Sequence, residues 1–133
     1  MPERSTFANF FVSHHIGDYL LQTDFQALNK KGGLGEDDDA RRALVNHGLT
    51  YTAAFVPALL GVARRTSVAR ALGVAALITL PHLAIDDGRL VNAYMKRVKR
   101  TGADVDADLT SRVDQSMHLV CLWAAAMVAR DRG

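Results

Sequence analysis

Three histidine and aspartate pairs stand four residues apart in this chain: His14 with Asp18, His82 with Asp86, and Asp114 with His118. Residues at i and i+4 of an α-helix share one face about 6 Å apart, so each pair can aim an imidazole and a carboxylate at one point. His47 follows the first pair, with Tyr51 one turn further on. Five histidines and twelve aspartates in 133 residues give roughly 0.9 such pairs by chance. The excess alone does not decide the matter, and the surroundings carry more weight. Phe10, Phe11, Leu20 and Leu21 surround the first pair, Leu80, Leu83 and Ile85 the second, and Leu119, Val120 and Trp123 flank the third. A carboxylate buried in such sequence needs a cation.

Two readings follow. In one, each histidine bonds its own aspartate as an ion pair that fixes helix register. In the other, His14, Asp18, His47, His82, Asp86, Asp114 and His118 converge from several helices on one or two divalent metal ions, as in di-metal carboxylate bundles. Mixed imidazole and carboxylate donors suit Zn, Mn or Fe better than Ca or Mg.

Positioning such ligands requires helices, and the hydrophobic pattern supplies them. Apolar residues at three- and four-residue steps predict one amphipathic helix over 6–29, capped by Ser5 or Thr6. Residues 30–39 (KKGGLGEDDD) read as a loop whose last aspartate opens a helix over about 40–63. Further helices are expected over 68–86, 89–100 and 109–130, with a second loop at 101–108. Pro57 and Pro81 predict kinks in two of the five. No strand-like alternation and no internal repeat interrupts the pattern. The expectation is a single all-α domain, a compact bundle of about five helices.

Composition narrows the classes further. At 49% hydrophobic and 23% charged residues the chain is neither disordered nor built on disulfides, and its net charge of +2 is too small to indicate nucleic acid. The lone Cys121 lies in an apolar run, which fits a reduced core residue. Met1 to Thr6 lack the layout of an export signal, so a cytoplasmic location is expected. Membrane association stays open. The 21 residues between Arg42 and Arg64 carry no formal charge, but their first half is polar, and the other apolar runs are short for a span. Oligomeric state is not legible.

A resemblance adds to this reading. The segment His14-His15-Ile16-Gly17-Asp18-Tyr19-Leu20-Leu21-Gln22 resembles the H-x-x-G-D-[FY]-x-L-Q opening of a domain-of-unknown-function family common in bacterial and phage genomes. Lys30, His47, His82-x-x-x-Asp86 and Asp114-Gln115-x-x-His118 resemble its later signatures in the same order. The resemblance spans about residues 10–123 and implies that the seven histidine and aspartate residues form one site. Some members are described as metal-dependent hydrolases and several as inner-membrane proteins, without a common substrate. Two departures bear on substrate contacts. Tyr51 or a polar neighbour stands where a second histidine often follows His47, and Asp87, Gly88 and Arg89 follow Asp86 where a lysine is usual.

The chemistry expected of such a site is hydrolysis of a phosphoester such as a nucleotide. It is similar in architecture alone to HD-type phosphohydrolases, because no adjacent His-Asp dipeptide occurs. Asp114 or Asp18 would serve as general base, with Gln22 and Gln115 orienting water or substrate. Lys30, Tyr51 and Arg89 are the expected contacts of a small phosphorylated substrate. The basic run from Arg89 to Arg100 otherwise reads as a solvated helix face. Tyr94 alone interleaves its charges, so a stacking platform for nucleic acid is not expected. Gly32-Gly33-Leu34-Gly35 lacks the lysine of a phosphate loop and reads as a flexible linker. The alternative class is a non-catalytic metal-binding or membrane-associated helical protein whose polar cluster is structural.

Overall fold

A computed structural model describes residues 5–130, so the reading of Met1 to Thr6 as lacking an export signal falls partly outside the described residues. The described chain is helical throughout and contains no strand. Its α-helices are α1 (Thr6–His15), α2 (Asp24–Asn29), α3 (Asp38–Ala54), α4 (Val56–Arg65), α5 (Val68–Asp86), α6 (Arg89–Arg97) and α7 (Ala107–Val128), with a π-helical turn at Ile16–Leu20 after α1. There are thus seven α-helices among the described residues, where the apolar pattern predicts about five.

Both extra helices come from breaks that hydrophobic periodicity does not register. The helix expected over 6–29 widens into the π turn, leaves helical geometry near Gln22, and restarts at Asp24. Thr23 caps the restart. Its side chain accepts from the Gln26 amide at 3.3 Å while the Gln26 side chain accepts from the Thr23 amide at 3.1 Å, a reciprocal capping box. The helix expected over 40–63 is two helices bent by 51°. Pro57 lacks the N–H that would bond residue 53 and its ring crowds that carbonyl, so Phe55 ends α3 and the proline sits in the first turn of α4, where it is tolerated. Pro57 therefore breaks its helix instead of kinking it. Pro81 lies inside α5, which continues through it to Asp86.

Caps fix the remaining boundaries. Asp37, not Asp39, opens α3 by accepting from the amides of Asp39 and Ala40 at 2.9 and 3.0 Å. Asp106 opens α7 in the same way, two residues before the expected start. α6 ends at Arg97, short of the expected Arg100, which adopts a left-handed φ of 54°.

α5 lies against α3, α4 and α7, and α1 covers α7 from the other side. A first core joins Phe10, Tyr51, Phe55, Val74, Ile78 and Leu122 from α1, α3, α5 and α7 and the α3–α4 junction. A second, smaller core gathers Ile85, Val91 and Met95 under α6. Many apolar side chains face outward, including Leu72 and Leu80 of α5 and Trp123 of α7. α5 is the one helix among the described residues that is long and apolar enough to cross a membrane, and 28% of its most apolar stretch is buried.

Gly17 sets how closely the π turn approaches α3. A Cβ there would stand 2.7 Å from Tyr51 Cδ2 and 3.1 Å from the Tyr51 Cα, and the fully buried ring cannot retreat. Gly17→Ala is expected to destabilise the fold by about 1–3 kcal/mol through overpacking. Urea denaturation checks this, and a wild-type midpoint would show that the turn has slack.

Candidate metal centre

Four elements deliver side chains to one buried point. α5 carries His82 and Asp86 one turn apart, with Nε2 3.1 Å from Oδ2. α3 carries His47, whose Nε2 lies 3.0 Å from Asp18 Oδ1 and 3.0 Å from Asp86 Oδ2. Asp18 comes from the π turn, its Oδ1 3.8 Å from His82 Nε2. One ligand atom from each of these four buried residues falls within a sphere of mutual distances under 4.8 Å. α7 adds a second group: His118 Nε2 lies 3.5 Å from Asp86 Oδ1, and its Nδ1 lies 3.0 Å from the Asp114 carbonyl and 3.2 Å from Asp114 Oδ1. Asp86 therefore serves both groups, one oxygen turned to each.

The donor set could hold a metal ion. His118 Nδ1 faces only acceptors and carries the proton, so in the neutral ring Nε2 presents a lone pair to the Asp86 carboxylate. That atom and both ring nitrogens of His82 are buried without a hydrogen-bond partner. Lone pairs converging on carboxylate oxygens are relieved by a proton on the ring or by a metal ion between the two. Metal bonds of about 2.1 Å set neighbouring ligand atoms about 3.0 Å apart in octahedral and about 3.4 Å in tetrahedral geometry. The three closest approaches, 3.0, 3.0 and 3.1 Å, are compatible with that spacing and equally with N–H···O hydrogen bonds. The cluster can hold a metal ion, and its donors do not single one out.

Around the ligand atoms lies a positioning layer. Gln115 Oε1 can only accept, so His14 Nε2 donates to it at 2.9 Å; His14 Nδ1 then accepts from the Tyr51 hydroxyl at 2.9 Å. The Gln115 amide nitrogen stands 3.5 Å from Asp18 Oδ2 and 3.4 Å from Asp114 Oδ1, linking the two groups. Tyr51 also stacks flat on His82, ring centroids 3.5 Å apart and planes 5° apart. The structure does not bring His14 into either ligand cluster, although its Nε2 lies 3.8 Å from Asp18 Oδ2. Tyr51, expected as a substrate contact, is fully buried beneath the histidines.

The glycine loop is not a flexible linker. The Asp87 carbonyl accepts from the Gly32 amide at 2.8 Å and its carboxylate from the Leu34 amide at 2.8 Å, which pins the loop to the end of α5. Gly88, at φ 87°, then turns the chain into α6. The pinned loop carries two lysines to the site. Lys30 is buried and donates to Asp86 Oδ2 at 2.7 Å and to Gln22 Oε1 at 2.6 Å; Lys31 reaches Asp114 Oδ2 at 3.2 Å. Arg89 pairs with Asp87 at 2.6 Å and is not brought to the ligand clusters. The clamp by Asp87 is the feature that sequence reasoning missed; a second acid directly after Asp86 in an apolar helix end was its one visible sign.

Charge states follow from these contacts. Burial works to raise the Asp18 pKa, but the hydrogen bond from His47 and the nearby His82 outweigh it and hold the group at about 2. Asp86 is opposed by burial in the same way, yet His47, His82 and Lys30 keep it far below the usual carboxylate range. Asp114 is lowered against burial by His118 and Lys31. Burial pushes His82 down to about 4 and lowers His14. For His47 and His118, burial is overcome by the adjoining carboxylates, and both are raised above 6.5.

Fold and centre together define an all-α protein with a buried histidine and aspartate cluster able to hold metal. The chain belongs to the family described as Protein of unknown function (DUF3307), which matches residues 6–131 and so includes every residue of the cluster. This agrees with the resemblance drawn from the sequence motifs. No curated protein and no solved structure gives a significant match to it.

Because His47 and His118 hold protons more tightly than free imidazole, a metal must displace them. As pH falls through their raised values the protonated rings repel the ion, so affinity for Zn or Mn is expected to rise as pH climbs above 6.5, with proton release on binding. Calorimetry in two buffers of different ionisation enthalpy measures that release. A pH-independent affinity would remove these two rings from the ligand set.

Proposed function

We propose that this chain is a metal-dependent hydrolase of phosphoesters, with a nucleotide as the expected kind of substrate and one or two Zn, Mn or Fe ions at the shared Asp86. The observation that carries the reading is that both oxygens of one buried carboxylate face two separate ligand groups, the layout suited to paired ions. A bound divalent ion supplies Lewis acidity, polarising a phosphoryl oxygen and making water more acidic. The chain's own residues supply the rest. Asp114, 13% exposed at its side chain against 2% for Asp86, is the cluster carboxylate closest to solvent and takes the proton of the attacking water. Gln115 orients that carboxylate. Lys31, 54% exposed at its side chain, stands beside it and offers an ammonium to substrate phosphate oxygens, while buried Lys30 balances Asp86 and holds Gln22. A location in the cytoplasm fits the half-buried thiol of Cys121.

The second reading is a non-catalytic metal-binding or membrane-associated protein, favoured by the exposed apolar faces of α5 and α7. The two readings part on turnover. Protein prepared without chelator is expected to retain transition metal and to melt higher when Zn, Mn or Fe is added. Asp86→Ala should abolish binding, and Asp114→Ala should lower kcat on a nucleotide or generic phosphodiester by about 10²–10⁴-fold. Metal binding without turnover supports a non-catalytic metal-binding protein, and metal content below about a tenth of an equivalent, with no thermal shift, defeats the hydrolase and leaves the cluster structural.

A further inference from the structure

The second core is not closed. Between α5, α6 and α7 lies a cleft of about 700 Å³, within the range of about 300–1,000 Å³ common to small-molecule sites. Ile85, Met117 and Cys121 line it from the core, and Leu90 and Val120 form its sides although 51% and 64% exposed. Contiguous apolar surface left open in this way marks an interaction site. Burial raises the Cys121 thiol, which keeps it neutral and effectively apolar.

The charged groups of the lining are all basic: Lys99 and Arg112, with no carboxylate. Arg112 pairs with Asp108 at 2.8 Å on the surface, a contact that contributes little and can open toward a ligand. Position along the chain gives the cleft a polarity. Lys99 lies just past the end of α6 and Arg112 near the start of α7, so both cations stand where α6 hands over to α7. Cys121 is nine residues beyond Arg112 on the same helix, about 13 Å away.

The geometry points to a binding site for a single-chain anionic amphiphile, an acyl tail lying in the cleft with its carboxylate or phosphate head at Lys99 and Arg112. A partner helix is the other apolar occupant to weigh. The two cations of the lining, with no carboxylate among them, favour an anionic head on a single chain over the apolar face of a helix. The cleft floor borders the metal centre, since Cys121 lies one turn beyond His118 on α7 and Ile85 directly precedes Asp86, but the proposal does not rest on the hydrolase reading.

Titration of the full chain with monomeric dodecanoate and dodecyl phosphate tests this. Saturable binding of one molecule per chain is expected for either head, with dodecyltrimethylammonium at least about tenfold weaker. Lys99→Glu with Arg112→Glu should weaken the anionic ligands by a similar factor. Ser116→Trp, at an exposed lining position, should block the cleft, and Asp114→Ala should leave binding unchanged. Circular dichroism checks the fold of each variant, and the charge variant decides if Ser116→Trp does not fold. Equal binding of both head charges, absence of saturable binding, or binding to phosphatidylglycerol vesicles alone overturns the proposal.

Discussion

A carboxylate that is 1% exposed stays ionised in an apolar helical core only if cations or donors surround it, and Asp86 is such a carboxylate. It draws Lys30 from the glycine loop, His47 from α3, His82 from its own helix and His118 from α7. These contacts fix how α3 and α7 sit against α5, and they fix the loop as well, because Lys30 reaches Asp86 only while Asp87 clamps the neighbouring backbone. Removing one partner of such a set leaves buried charge uncompensated, which costs far more than the set contributes over an apolar equivalent. The arrangement is better understood as a constraint on geometry than as a source of stability.

How much of this the sequence discloses depends on whether the helix is regular. His82 with Asp86 and Asp114 with His118 lie in unbroken helices, so the four-residue spacing translates directly into neighbouring side chains. His14 and Asp18 have the same spacing and a different outcome. The π turn begins between them, and Asp18 goes to His47 while His14 turns to Gln115 and Tyr51. A π turn leaves no mark in hydrophobic periodicity, although Thr23 with Gln26 and Pro57 did mark the two helix breaks by local chemistry. The inward turn of Lys30 was illegible for another reason. A glycine-rich loop has no periodicity to read, and its path is set by hydrogen bonds to a residue more than fifty positions away.

The two cores divide the molecule's tasks. The larger one is filled by aromatic and branched side chains and backs the polar centre; the smaller one keeps part of its apolar wall open to solvent between α5, α6 and α7. Membership of a family without assigned function places no limit on either. The polar centre is buried apart from its Asp114 and Lys31 edge, so its chemistry is constrained to what its own donors can hold, while the open cleft is shaped by size and charge.

Tyr51 belongs to the larger core and lies flat against His82, so one ring is at once the wall of the hydrocarbon interior and the backing plate of an imidazole. Scaffold and centre have no boundary there. Phe55 packs on that ring and Phe10 on Phe55, so a change of one methylene there would reach His82 through Tyr51. A substitution in this part of the core therefore has to suit the angle of a single histidine as well as the packing of the interior.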